Sequence, residues 1–130
     1  MRSVLTLEKL AERAPDVRSR SRLGALAAGC QAHASRLLAR MAAVGGGPLP
    51  VPPDDVDLPE SLAEALRAEA ERTRNSAERY AAMANLARKA MDPSAAWVCE
   101  LNRAEELDRA FELSDMAQRF DSTEFLAPPA

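Results

Sequence analysis

Residues 92–120 read DPSAAWVCELNRAEELDRAFELSDMAQRF. Asp92 offers a side-chain oxygen to cap a helix, and Pro93 suits its first position, where a missing N–H costs nothing. The residues after Pro93 are rich in Ala, Leu, Arg and Glu and poor in β-branched types, so the stretch predicts a helix from Pro93 to about Phe120. This helix is apolar on two sides. Ala95, Val98, Cys99, Asn102, Glu106, Arg109, Leu113, Met116 and Phe120 share one stripe. Trp97, Leu101, Ala104, Leu107 and Phe111 share another. A helix of that kind is normally covered on both sides.

Upstream, prolines punctuate the chain rather than scatter through it. Pro15, the stretch from Gly45 to Pro59, and Pro93 leave three more helical segments. The first is short, about Ser3 to Ala14, with Leu7, Leu10 and Ala11 on its apolar edge. The second runs from about Asp16 to Val44, with Leu23, Leu26, Cys30, His33, Ala34, Leu37, Met41 and Val44 at three–four spacing. Gly45-Gly46-Gly47-Pro48 stops it. The third is expected to start near Asp57, with Glu60 completing a capping box. Its stripe is Leu62, Leu66, Ala70, Thr73, Ala77, Tyr80, Ala84 and Ala87. The tight break at Asp92 makes the last two helices antiparallel neighbours. The long connection before Pro59 allows the second and third to run parallel.

The expectation is therefore an all-α chain: a four-helix bundle with a short first helix and a long crossover between helices two and three. Residues 1–120 form one domain and residues 121–130 a flexible tail. Composition agrees, with 47% hydrophobic and 28% charged residues among 130, enough for a single core. Aromatics at 4% argue against a β-sandwich and against a base-stacking platform. Two cysteines are too few for a disulfide scaffold and point to a reduced, cytoplasmic setting. The sequence holds no apolar run long enough to span a bilayer, and Met1 to Leu5 lacks a signal-peptide core.

His33-Ala34-Ser35-Arg36-Leu37-Leu38-Ala39-Arg40-Met41, followed by Gly46-Gly47-Pro48, resembles the end of the second helix in bacterioferritin-like proteins of the ferritin-like superfamily. Ala77 to Ala84, then Asp92 and Leu101 to Phe111, resemble helices three and four of bacterioferritins and rubrerythrins. The resemblance implies a ferritin-like bundle with a di-iron centre held by Glu-x-x-His on helices two and four and by one Glu each from helices one and three. Here helix two offers Cys30 to His33, so only the His matches. Helix four offers Glu106 to Arg109, so only the Glu matches. The helix-three position falls at Thr73. The di-iron site is therefore expected to be degenerate, with no cofactor. Iron is the alternative, at a site built from Cys30, His33 and Glu106 and completed across a subunit interface.

Glu106 and Arg109 lie three residues apart on the inward stripe. A lone buried carboxylate is costly, and a guanidinium beside it removes that cost without deprotonating. Arg109 is expected to stand where a metal would, pairing Glu106 beside His33. The alternative is an exposed pair on the helix surface, worth a few tenths of a kcal/mol.

Trp97, Leu101, Leu107 and Phe111 form a face that so short a first helix leaves without cover. This face implies an interface with a second copy (a dimer or higher oligomer) or a protein partner. The expected function is thus a non-catalytic bundle acting through association. Leu5 to Ala14 also looks like the opening of a helix-turn-helix, with Arg18, Arg20 and Arg22 as phosphate contacts. Pro15-Asp16 where the turn favours glycine, and a net charge of −3, weigh against nucleic acid. The sequence contains no phosphate-binding loop, nucleophile elbow or zinc-protease motif, so no catalytic residue is assigned.

Overall fold

The computed structural model describes residues 2–43 and 57–126, with side chains over 2–39 and 57–121. Among these residues there are four helices and no strand: α1 (Arg2–Arg13), α2 (Val17–Ala43), α3 (Leu62–Lys89) and α4 (Pro93–Leu126). The Gly45-Gly46-Gly47-Pro48 stop, the crossover up to Val56, the side chain of Met41 and residues 127–130 lie outside the described residues.

Local chemistry sets the helix starts. Asp16 opens α2 by accepting from the Ser19 N–H at 2.7 Å and from its hydroxyl at 3.0 Å. Those bonds hold the Asp16 carboxyl below its usual range. Asp92 opens α4 by accepting from the Ala95 N–H at 3.1 Å. The start of α3 is a correction. Its N-cap is Ser61, which accepts from the Glu64 N–H at 3.3 Å, and Asp57 lies ahead of the helix. The reason is Pro59, which disfavours helical geometry at Leu58 and so delays the start. The reversal after α3 places Met91 at φ 58, with Asp92 N–H bonded back to the Ala87 carbonyl at 2.9 Å. The end of α4 is a second correction. It runs to Leu126, so residues 121–126, expected in the tail, are helical.

Side-chain pairs fix the directions. Arg22 meets Glu112, His33 meets Glu105 and Glu106, and Arg36 meets Asn102, so α2 runs antiparallel to α4. Arg67 meets Asp121, Arg74 meets Ser114 and Arg88 meets Glu100, so α3 is antiparallel to α4 as well. Hence α2 and α3 are parallel. Arg13, at the end of α1, donates to the Pro59 and Glu60 carbonyls ahead of α3. Among the described residues α1 packs on α2 and α3, and α4 packs on the same two. The helices form a ring in which α1 faces α4, and α2 faces α3, across a diagonal.

The main core gathers Val4, Leu7 and Leu10 from α1, Leu23 and Leu26 from α2, Leu66 from α3, and Leu113 and Met116 from α4. α1 has 12 residues against 34 in α4, so it lines only one end of the bundle. Towards the other end a smaller cluster of Tyr80, Ala84 and Cys99 packs with Leu37. A polar centre lies between the two.

Candidate functional site: a buried ion-pair network and an exposed apolar face

The inward stripe of α4 carries Asn102, Glu106 and Arg109 into the bundle, all of them buried. Arg109 donates from Nη2 to Glu106 Oε2. On the other side, Glu106 Oε1 lies 3.1 Å from Nδ1 of His33, which is 4% exposed. His33 Nε2 lies 2.5 Å from Glu105 Oε2. Arg36 Nη1 closes the chain, donating to Glu105 Oε2 at 2.9 Å and to Asn102 Oδ1 at 3.0 Å. Both imidazole nitrogens thus face carboxylate oxygens, an arrangement in which both can donate only when the ring is protonated. The Tyr80 ring stands edge-on to His33 at 6.5 Å.

Charge balance explains why this network tolerates burial. Two carboxylates, two guanidinium groups and one imidazole share their bonds, so neither buried Glu106 nor buried Arg109 stands alone. The hydrogen bond from Arg36, with help from His33, holds the Glu105 carboxyl below its usual range despite partial burial. Burial pushes the Tyr80 phenol up.

The structure therefore brings His33, Glu106 and Arg109 together. Cys30 is buried close enough to feel the charges of Arg109, Glu106 and Glu69. Burial pushes its thiol up to about 11. Cys99 is also buried, with its thiol raised for the same reason, and both are free. A thiol at that value holds about a hundredfold less thiolate at neutral pH than one near its ordinary value. In the folded protein, Cys30 should therefore resist iodoacetamide at pH 8 and react only on unfolding. Labelling followed by intact mass measurement checks this, and rapid native labelling of Cys30 would contradict its burial.

Among the described residues no group of three or more His, Cys, Asp or Glu is arranged to hold a metal ion. The donors are engaged instead: both His33 nitrogens with carboxylates, and Glu106 with Arg109. Thr73 turns its hydroxyl to the Glu69 carbonyl at 2.8 Å.

Two residues of this region escaped the sequence reading. Glu105 sits at the rim of the inward stripe and joins through its length, which periodicity does not register. Glu69 is the second, and it is wholly buried. Its Oε2 accepts from Arg72 Nε at 3.0 Å and Nη2 at 2.7 Å, and Oε1 has no partner among the described residues. The signal was present: Glu69 follows Leu66 by three and precedes Thr73 by four, on the apolar stripe.

On the opposite side of α4, Trp97 is 64% exposed, Phe111 76% and Leu107 40%, with Leu101 half-buried and Ala104 exposed among them. At 100° per residue this line points directly away from Glu106 and Leu113. Of the carboxylates around this face, Glu112 pairs with Arg22, Glu105 with Arg36 and Glu100 with Arg88, while Asp108, one turn from Ala104, is exposed on the same side of the helix. On α2, Arg18 and Arg20 are exposed, while Arg22 is committed to Glu112.

No family model, no curated protein and no solved structure matches this chain. No described helix is long and apolar enough to cross a membrane.

Proposed function

We propose that this chain is a ferritin-like bundle in which an ion-pair network stands in place of the di-iron centre, and that it acts by pairing with a second copy through the outer face of α4. The ring order of the helices, with α2 parallel to α3, supports the fold. The Glu106–Arg109–His33 network, which engages the inward ligands, supports the replacement.

One observation carries the association: two aromatic side chains, Trp97 and Phe111, stand exposed on the side of α4 away from the core. Large exposed apolar patches mark interaction surfaces. The layout favours a second copy over an unrelated partner. Trp97 and Phe111 each lie seven residues from Ala104, and Leu101 and Leu107 each lie three. A two-fold axis beside Ala104, with the two α4 helices antiparallel, sets Trp97 of one copy against Phe111 of the other, about 10 Å from the axis on each side. The small side chain at the centre permits the usual spacing of about 8–10 Å between helix axes.

Sedimentation velocity is the test. The wild type should run as a dimer at about 10 µM, the range of a modest helix–helix interface. Phe111→Glu and Ala104→Arg should each run as monomers with unchanged helical circular dichroism. A monomeric wild type, or variants that remain dimeric, would overturn the reading.

A further inference from the structure

A cleft beside the first turn of α1 has an unusual lining. Arg2, Ser3, Arg72, Asn75, Ser76 and Arg79 surround about 330 Å³, and none of them is acidic. Three arginines therefore line one cleft in a chain whose net charge is −3. Among the described residues neither Arg2 nor Arg79 has a carboxylate partner. Arg72 does, and its partner is informative. The wholly buried Glu69 grips Arg72 through Nε and Nη2, fixing one guanidinium at the cleft from behind. A carboxylate carried into a core is costly, and this one has a single cation to offset it, located at the cleft. With that one carboxylate subtracted, the cleft keeps an excess of two positive charges.

Serine hydroxyls and the Asn75 amide add neutral donors beside the cations, the mixture that satisfies an oxyanion's several lone pairs. A second depression of about 470 Å³ adjoins the first, sharing Ser76 and Arg79, and continues over Tyr80, Ala82 and Met83. There the lining is mostly apolar, and Met83 is 40% exposed. Charge at one end and apolar surface at the other describe an amphiphilic ligand. We propose that this cleft binds a small amphiphilic anion, with its phosphate or carboxylate headgroup among Arg2, Arg72 and Arg79 and its short apolar tail along Tyr80 and Met83. The site lies on α1 and α3, away from the α4 seam, and does not depend on association.

Calorimetric titration with inorganic phosphate, hexyl phosphate and hexanoate tests it. An anion with a tail should bind about tenfold more tightly than inorganic phosphate, for the added apolar contact. Arg79→Gln should weaken that binding about tenfold, the value of one charge-assisted contact. Arg79 is exposed and has no carboxylate partner among the described residues, so its replacement leaves the fold intact. Arg103→Gln, an exposed cation on α4, should leave binding unchanged. Hexyl phosphate binding above hexanoate assigns a phosphate ester, and the reverse assigns a carboxylate. Absence of binding by all three probes, or equal losses in Arg79→Gln and Arg103→Gln, would overturn the proposal.

Discussion

Arg109→Met is expected to lower stability by about 3–5 kcal/mol, the cost of leaving a buried charge without its partner. Glu106 and Arg109 are both buried and bonded side chain to side chain on one turn of α4. Methionine keeps much of the arginine's volume but removes the cation, so Glu106 retains only His33. Glu106→Gln alone should also be costly, because it strips Arg109 of its carboxylate and weakens the bond to His33. The double variant Glu106→Gln/Arg109→Met should lose much less than the sum, since no unpaired charge remains within the pair. Urea denaturation of the four proteins gives the coupling. A coupling below about 0.5 kcal/mol would show that the two groups are solvated, as an exposed helical pair would be.

Leu7→Ala should cost about 2–5 kcal/mol, out of proportion to the length of the helix that carries it. Leu7 is completely buried, in one cluster with Leu23, Leu66, Leu113 and Met116 from the other three helices. Truncation removes buried methyl groups and leaves a cavity that four packed helices cannot readily close. Leu86→Ala, at an exposed position of α3, is the matched control and should change stability by less than about 0.5 kcal/mol. Denaturation midpoints with unchanged slopes would report stability alone. A Leu7→Ala protein as stable as Leu86→Ala would mean that α1 is not docked into the core.

The two variants probe different levels of the same bundle. Leu7 reports on the end where four helices meet, and Arg109 on the polar centre, where α2, α3 and α4 supply the side chains. Beyond that centre the bundle relies on the small cluster around Tyr80 and Cys99.

Sequence alone determined the features that are local. Asp92-Pro93 announces the start of α4 because cap chemistry acts within one turn. Three–four spacing placed Glu106, Arg109 and His33 inward, because one helical face is set by the 3.6-residue repeat whatever packs against it. The same repeat set Trp97 and Phe111 outward, on a face the chain leaves exposed. Tertiary structure decided what depends on register between helices. Glu105 joins the network only because α2 brings His33 and Arg36 to its level, over more than sixty residues of sequence. Glu69 stays in the core because Arg72 reaches back to it, and a long flexible side chain has many destinations that periodicity cannot rank. Arg2 and Arg79 share a cleft only because α1 docks beside α3, which charge counting along the chain does not reveal. Helical propensity and capping are short-range energies written in neighbouring residues, whereas the meeting of distant charges depends on how the helices pack.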